Sequence, residues 1–212
     1  MIKRLIGISG KAAAGKDTTA DFIVASYGAV KMSLADEIKR TAKRFWGFQN
    51  AQLWGASEKR QERPLGKPNA PTARHACQQL GTEVARLIDR DVWINLLLGN
   101  AANLQQYNLK YFPAEGLKPN LHYDHSVYIP YVVVPDVRYQ NEMDAIKANG
   151  GYLIRIVRPG FSLTGEAANH PSETEQDAIP DSFFHYVLHN DGSLEQLEDK
   201  VHTMLRELGV TG

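Results

Sequence analysis

A glycine-rich loop near the beginning of the chain constrains the fold more than any other sequence feature. Residues Gly10 to Lys16 match the G-x-x-x-x-G-K pattern of a phosphate-binding loop. The apolar run Leu5 to Ser9 before it predicts a buried strand, and the amphipathic stretch Thr18 to Ser26 after it predicts a helix. Glycines let the backbone wrap closely around phosphate, and the positive end of the helix dipole faces that anion. The sequence therefore predicts a nucleotide site built on a strand, a loop and a helix.

The residue after the loop lysine narrows the class of nucleotide site. The complete pattern has Ser or Thr directly after the lysine to hold magnesium, whereas Asp17 stands there and Thr18 follows. This difference argues against a switch GTPase or motor ATPase and favours a small-molecule kinase. Both Asp17 and Thr18 are candidate ligands of Mg²⁺. We assign ATP binding to Gly10, Ala12, Ala13, Ala14, Gly15, Lys16, Asp17 and Thr18, with Lys16 along the β- and γ-phosphates.

Composition fits one α/β domain of 212 residues. The 24 basic and 24 acidic residues balance, so the total charge does not point to nucleic acid or a membrane surface as a partner. The single cysteine, Cys77, excludes an internal disulfide and fits a reducing cytosol. The sequence contains neither a signal-peptide pattern nor an apolar run of membrane-spanning length, so we expect a cytoplasmic protein.

A second apolar run, Val127 to Val134, predicts a central strand that leads into Asp136 and Arg138. A carboxylate at the end of a buried parallel strand beside a phosphate loop commonly holds magnesium or its waters. We therefore assign Asp136 to the metal and Arg138 to the developing phosphoryl charge. A turn with a local ion pair is the alternative interpretation. Asn141 and Glu142, which begin the following helix, are assigned to the substrate.

Residues 34 to about 105 are predicted to form a helical region that binds the acceptor. Its first helix, Leu34 to Phe45, follows a short strand from Ala29 to Ser33 and carries Asp36 and Lys39 in its first turn. Open α/β sheets place ligands at the carboxyl ends of their strands, so both side chains are candidates for the substrate site. The helix dipole alone also favours an acidic residue there.

One continuous helix is predicted from Ala73 to Asp89. Its apolar stripe consists of Ala73, Cys77, Leu80, Val84 and Leu87, which makes Cys77 a core residue rather than a nucleophile. Its polar side offers Arg74, Gln78, Thr82 and Arg86. Arginine suits bidentate phosphate contacts, so this side is predicted to bind the acceptor, with surface salt bridging as the alternative. The next helix, Asp91 to about Leu104, is predicted to bury Trp93, Leu96, Leu97 and Leu98, with Trp93 as a core residue or a base-stacking platform.

The remaining chain predicts an insertion, a lid and a final strand and helix. The aromatic-rich segment 105–127 is expected to serve packing or a homodimer contact. After a strand from Tyr152 to Val157, the polar segment from about 158 to 182 predicts a mobile lid with Arg155 and Arg158 at its base. Closing it would keep water from the γ-phosphoryl group.

The last strand is predicted from about Phe184 to Leu188 and the last helix from Leu194 to Leu208, with Ser193 as its N-cap. Asn190, in the turn between them, is assigned to the adenine, although a plain turn is the alternative. Five strands alternating with helices predict a doubly wound parallel sheet with helices on both faces.

The order and spacing of these motifs resemble the deoxynucleoside monophosphate kinases of tailed bacteriophages. The resemblance is carried by Ile8 to Thr18, Gln79 to Glu83 with Arg86, Asp91 to Trp93, Asp136 to Arg138 with Asn141 and Glu142, Arg155 to Pro159, His170 to Glu173, and Asn190 to Gly192. It implies an adenylate-kinase-like fold and transfer of the γ-phosphoryl group of Mg-ATP to a deoxynucleoside 5′-monophosphate for phage DNA synthesis. The family's loop also carries Asp at the position of Asp17.

The mechanism expected from this resemblance is direct in-line transfer. Lys16 and arginines from the set Arg138, Arg155 and Arg158 stabilise the transferred group, while Arg74 and Arg86 hold the acceptor phosphate. Two other functions stay open at this point. One is a kinase for another small acceptor, of the phosphomevalonate or coenzyme-precursor type, and the other is a kinase for a modified base in DNA.

Overall fold

The computed structural model describes residues 4–107, 131–160 and 174–210. The chain divides into two compact units. Of the described residues, 4–32, 131–160 and 174–210 belong to the first unit and 33–107 to the second. The second unit thus begins one residue before the helical region expected at 34–105.

The first unit is built on a five-stranded parallel sheet in the order β2-β3-β1-β4-β5, which confirms the predicted fold class. The strands are β1 Leu5–Ser9, β2 Val30–Lys31, β3 Val132–Val134, β4 Tyr152–Val157 and β5 Tyr186–His189. Every residue of β1 and β3 is buried, as expected for strands covered on both faces. After β1 the chain continues to β2 at one edge of the sheet, and after β3 it crosses to β4 on the other side of β1. The carboxyl end of β1 is therefore the switch point at which such sheets bind ligands.

Helices α1 to α8 are numbered in chain order. They are α1 Lys16–Tyr27, α2 Leu34–Trp46, α3 Asn50–Trp54, α4 Ala73–Gln78, α5 Ala85–Ile88, α6 Val92–Tyr107, α7 Gln140–Ala148 and α8 Leu194–Glu207. Short 3₁₀ helices lie at Lys59–Gln61, Glu175–Ala178 and Asp181–Phe183. Ser193 caps α8 as predicted, because its Oγ accepts from Gln196 N at 3.2 Å and Gln196 Oε1 accepts from Ser193 N at 2.8 Å.

The core of the second unit joins α2, α3 and α4. Its fully buried members are Ala42, Phe48, Leu53, Ala73, Ala76 and Leu80. Cys77 packs against this cluster, and burial raises the pKa of its thiol. A thiol that stays protonated is a poor nucleophile, which agrees with the core role predicted for Cys77.

The predicted continuous helix from Ala73 to Asp89 is wrong in its middle. A π-helical segment, Gln79–Val84, separates α4 from α5. A π turn contains more residues than an α turn, so the side chains that follow it rotate away from the expected stripe. Val84 is 48% exposed and Leu87 is 85% exposed as a result, whereas Leu80 stays buried.

One contact to this segment comes from outside its own sequence. The indole Nε1 of Trp93 donates to the carbonyl oxygen of Gly81 at 3.2 Å. Gly81 also lies close to α2, since a Cβ atom added there would be 2.9 Å from Ile38 Cδ1. Helix α6 differs from its prediction at two positions, because Trp93 and Leu97 are buried but Leu96 is exposed and Leu98 is only partly buried.

Several predicted features fall beyond the described ranges. These are most of the insertion at 105–127, residues 127–130 of the predicted third strand, and the centre of the predicted lid at 161–173. None of the helices within the described part of the chain has the length and apolarity needed to cross a bilayer.

Candidate active site

The phosphate-binding loop connects β1 to α1, and its two glycines have backbone conformations that other residues rarely adopt. Gly10 has φ 148° and a Cβ added to it would be 2.4 Å from the carbonyl oxygen of Ile156. Gly15 has φ 104° and its Cβ would be 2.5 Å from Asn190 Nδ2, the end of a side chain that can move. Backbone conformation therefore favours glycine at both positions, and at Gly10 the close approach of β4 requires it as well.

Lys16 lies against the loop rather than in solvent. Its residue is 7% exposed, and its Nζ donates to the carbonyl oxygen of Lys11 at 2.7 Å. The side chain of Lys16 thereby crosses the loop from the first turn of α1 to Lys11, the second residue of the loop. This places a positive charge where the loop backbone and the start of α1 converge.

A cleft of about 400 Å³ lies beside the loop in the first unit. Of the predicted site residues it is lined by Ala13, Gly15, Lys16, Asp17, Thr18, Arg158 and Asn190. Asn190 Nδ2 donates to Ala14 O at 2.8 Å, and Arg158 Nη1 donates to Ala13 O at 3.3 Å. Leu194, which is 63% exposed, and Leu197 add an apolar wall. The cleft therefore combines donors, positive charge and an apolar surface.

The turn after β5 is stiffened by Lys200. Its Nζ donates to His189 O at 2.9 Å and pairs with the carboxylate of Asp191. This hydrogen bond lowers the pKa of Asp191. Asn190 lies between these two partners of Lys200, so its contact with the loop starts from a fixed turn.

Asp136 and Arg138 follow β3, next to the end of β1. The intervening Val137 donates its backbone N–H to Ile8 O at 3.2 Å, so this segment lies beside the strand that delivers the loop. Both Asp136 and Arg138 are partly exposed.

Glu142 has a structural role that the sequence analysis did not predict. It is 4% exposed, and its Oε2 accepts from the backbone N–H groups of Arg138 at 2.8 Å and Tyr139 at 3.1 Å. The carboxylate therefore caps α7 and shapes the turn that carries Arg138, and the assignment of Glu142 to the substrate stays a prediction. Asn141, one residue before it, is partly exposed in the first turn of α7.

The second half of the predicted lid, residues 175–183, is packed against the sheet. It forms two 3₁₀ helices, and Gln176 and Ile179 are buried. Arg155 fixes this segment, because its guanidinium donates to Gln176 O at 2.9 Å, Ile179 O at 2.8 Å and Asp181 Oδ1 at 2.6 Å. These contacts give Arg155 a structural role, and its role in binding phosphate stays a prediction.

In the second unit, Asp36 anchors a tryptophan. Asp36 is 7% exposed, and its Oδ1 accepts from Trp54 Nε1 at 2.8 Å. Lys39 Nζ lies 3.9 Å from the same oxygen and 5.8 Å from the centre of the Trp54 ring. The two predicted residues thus form one cluster with Trp54, which the sequence analysis did not single out.

The polar residues predicted on the helix after Ala73 are distributed along α4, the π segment and α5. Arg74 is exposed and its Nη2 donates to Ser57 Oγ at 2.9 Å, and Gln78 is exposed one turn later. Thr82 and Arg86 are partly buried. Trp93 is 7% exposed with its indole N–H bonded to Gly81, so it packs as a core residue, and its assignment to the substrate stays a prediction.

Gln176 is the site residue that the sequence analysis missed. Its Oε1 accepts from Ser9 Oγ at 3.1 Å and from Gly10 N at 3.0 Å, at the beginning of the phosphate-binding loop. A glutamine in a polar stretch of sequence resembles any exposed residue. Only the fold shows that this one is buried.

Comparisons with known proteins agree on one family. A model of the family described as deoxynucleotide monophosphate kinase matches residues 4–62 and 56–201. A protein assigned that name in Acanthamoeba polyphaga mimivirus is 31% identical over 93% of this chain and 93% of its own length. The deoxynucleotide monophosphate kinase of Enterobacteria phage T4 is 28% identical over 97% of this chain and all of its own.

Among solved structures, a dephospho-CoA kinase from Campylobacter jejuni superposes with a TM-score of 0.50 at 15% identity, covering 96% of both chains. At that identity the likeness concerns the fold and not the acceptor.

Proposed function

The chain belongs to the deoxynucleotide monophosphate kinase family, and on this premise we propose that it transfers the γ-phosphoryl group of Mg-ATP to a deoxynucleoside 5′-monophosphate, giving ADP and the diphosphate. The observation that carries the proposal is the cleft of the first unit, in which the loop, Lys16, Arg158 and Asn190 meet. A triphosphate needs such a combination of convergent amides and positive charge.

ATP would bind with its phosphates on the loop and its base against the apolar wall of the cleft. Lys16 Nζ already donates to a loop carbonyl, so it can exchange that oxygen for a phosphate oxygen without leaving its position. Leu194 and Leu197 offer the base an apolar contact, with Asn190 at its edge. The position of Asn190 in the cleft supports its assignment to the adenine.

Mg²⁺ would be held by hard oxygen ligands in the first turn of α1 and after β3. The hydroxyl of Thr18 and the carboxylate of Asp136 suit that ion, which would neutralise charge on the phosphates. The side chain of Asp17 is 81% exposed and 3.7 Å from Lys31 Nζ. Asp17 therefore fits a role through a bound water better than direct ligation.

Transfer needs no covalent enzyme intermediate. An acceptor phosphate oxygen forms the new bond to the γ-phosphorus while the bond to the β,γ-bridging oxygen breaks, and ADP leaves with that electron pair. Lys16, Arg138 and Arg158 stabilise the charge on the equatorial oxygens. We assign Arg74, Arg86 and the cluster of Asp36, Lys39 and Trp54, all in the second unit, to the acceptor. Asn141 of the first unit is also assigned to the acceptor.

A coupled ADP-release assay tests the proposal. Purified protein with Mg-ATP is given deoxy- and ribonucleoside monophosphates in turn, including modified ones, and product diphosphates are identified by chromatography. We expect turnover with one or more deoxynucleotides. If none is phosphorylated by a protein that still binds ATP, the proposal is wrong, and small coenzyme precursors, phosphomevalonate and modified DNA become the acceptors to test.

A further inference from the structure

A buried glutamine from a distant part of the chain contacts the beginning of the phosphate-binding loop. Gln176 is 4% exposed, and its Oε1 accepts from both Ser9 Oγ and Gly10 N. Ser9 and Gly10 are buried as well. A backbone N–H can only donate, so the side chain must turn its oxygen, not its NH₂ group, toward the loop.

This contact fixes a peptide unit that has little other freedom. On one side of Gly10 the carbonyl oxygen of Ile156 is so close that not even a Cβ atom would fit. On the other side Gln176 Oε1 accepts the Gly10 N–H. Loss of that acceptor would leave a buried N–H without a partner unless the peptide between Ser9 and Gly10 turned. Such a turn would change the direction of the loop that follows.

Gln176 is itself held in place from β4. Arg155 donates to the backbone oxygen of Gln176 and to that of Ile179, while its other terminal nitrogen pairs with Asp181. The side chain of Arg155 is 15% exposed, so these charge-assisted bonds are largely shielded from water. The segment that contacts the loop through Gln176 is therefore held in place by Arg155.

A second tie joins the same two segments at the surface. Lys11 Nζ lies 2.7 Å from a carboxylate oxygen of Asp177, with side chains 42% and 64% exposed. Exposed ion pairs of this kind contribute little. The position of the loop thus depends on Gln176 rather than on this pair, which makes Asp177 a useful control.

We propose that Gln176 is a positioning residue for the donor nucleotide: it fixes the Ser9–Gly10 peptide so that the amides of the loop are already oriented for a triphosphate. It acts through the loop and does not touch the nucleotide. The proposal rests on the proposed function in one respect, because it takes ATP as the ligand of the loop. Preorganisation of this kind increases affinity by removing the cost of ordering the loop on binding.

Replacing Gln176 with Met removes the acceptor and keeps the side-chain volume. We expect Gln176→Met to raise the Kd of Mg-ATP by about tenfold, and the KM for ATP with it, while the KM for the monophosphate changes by less than about twofold. Asp177→Asn, one residue away, should leave the Kd within about twofold of the wild type. Binding is measured by calorimetry, so it does not depend on turnover.

The variant Gln176→Glu adds a second measurement, the pH dependence of the Kd of Mg-ATP, which would not change if Gln176 only stabilised the fold. An ionised carboxylate still accepts both bonds but places a negative charge next to the phosphates, whereas a protonated one has the charge and shape of glutamine. The ratio of its Kd to that of the wild type should therefore fall as the pH is lowered from about 8 to about 6. This series also decides the matter if Gln176→Met does not fold.

The outcomes separate this proposal from the one it rests on. A wild-type protein that does not bind Mg-ATP would overturn the proposed function itself. A wild-type protein that binds, beside a folded Gln176→Met with an unchanged Kd, would overturn only the positioning role. Equal increases in both KM values would also contradict it, since a general loosening of the fold would then explain the effect.

Discussion

The two units of the molecule place their candidate site residues by different means. In the first unit these residues follow strand ends, with the loop after β1, Asp136 after β3, Arg158 after β4 and Asn190 after β5. In the second unit they lie on helix surfaces, as Lys39 does on α2 and Arg74 on α4. A parallel sheet gathers its carboxyl ends along one edge whatever the intervening helices do.

Positions on a helix surface are harder to predict, because one extra residue in a turn rotates the directions of all later side chains in that helix. The π segment after α4 contains such a turn, and the predicted apolar stripe ends at Leu80. Residues at strand ends can therefore be located from chain order alone, whereas residues on a helix surface can be located only when the register of the folded helix is known. Four measurements test this difference between the two units.

Lys16→Met tests the strand-end site and carries the largest expected effect. Removing the charge that spans the loop should lower kcat by about 10³-fold or more, since a charge stabilising the transferred group is lost. The fold should stay intact by circular dichroism. Lys59→Met, which removes an exposed lysine paired with Glu62, is the matched control and should leave kcat unchanged. Near-normal turnover of Lys16→Met would remove the basis for the proposed function.

Leu80→Ala and Leu87→Ala test the register of the second unit. Leu80 is buried, so its truncation should lower the free energy of unfolding by about 2–4 kcal/mol. Leu87 is 85% exposed and the same change there should stay within about 0.5 kcal/mol. Chemical denaturation measures both. Equal losses would mean that the helix is regular and the contrast between the units is wrong.

Arg74→Ala tests whether the helix surface binds the acceptor. Loss of one charged phosphate contact should raise the KM for the monophosphate by about tenfold and leave the KM for ATP nearly unchanged. Arg44→Ala, another exposed arginine of the second unit, serves as the control. Steady-state kinetics with each substrate varied in turn gives both constants. Parallel changes in the two constants would argue against an acceptor role for Arg74.

The smallest expected effect concerns His185, which lies in the first unit away from the cleft. Partial burial lowers the pKa of this histidine below its ordinary value of 6.5, and the charge of Lys147 adds to the shift. The unfolded chain therefore binds more protons than the folded one as the pH falls below about 6.5, and stability decreases there. The decrease should be about a few tenths of a kcal/mol, since His185 is an exposed residue and solvent screens its charge.

His185→Gln keeps an acceptor for the N–H of Leu153, which bonds to the ring Nδ1 at 2.9 Å in the native protein. The unfolding free energy of this variant should lose the extra decrease between about pH 7 and about pH 5.5. A slope identical to that of the wild type would assign the pH dependence to another group.

Most of the sheet could be predicted from the sequence, and much of the helical detail could not. The apolar runs predicted β1 and β4, and Ser193 as an N-cap residue indicated where α8 begins. These signals are local, so a short stretch of sequence contains them. The strand predicted from Ala29 to Ser33 is shorter in the structure, because only Val30 and Lys31 pair with β3.

Other features depend on contacts between distant residues. Trp93 donates to the carbonyl oxygen of Gly81 in the π segment, and no pattern within that segment indicates this contact. Arg155 holds the segment 175–183, and Glu142 accepts from backbone N–H groups at the start of its own helix. The roles assigned to these two residues, to Asp136 and Arg138, and to the acceptor residues stay predictions.

The bonds that shape the phosphate-binding loop also bear on how the protein is made. Three residues far along the chain form hydrogen bonds with the loop. Arg158 bonds to Ala13, Gln176 to Gly10 and Asn190 to Ala14, and the partners are separated by 145, 166 and 176 positions respectively. At roughly 5–20 residues per second, the ribosome needs about 10–35 s to reach Asn190 after it has added Ala14. The loop motif is thus among the first parts of the chain to emerge and among the last to acquire all of its hydrogen bonds. A nascent chain that ends before residue 176 carries the loop motif but lacks Gln176 and Asn190, so we expect it to bind a nucleotide more weakly than the 212-residue chain.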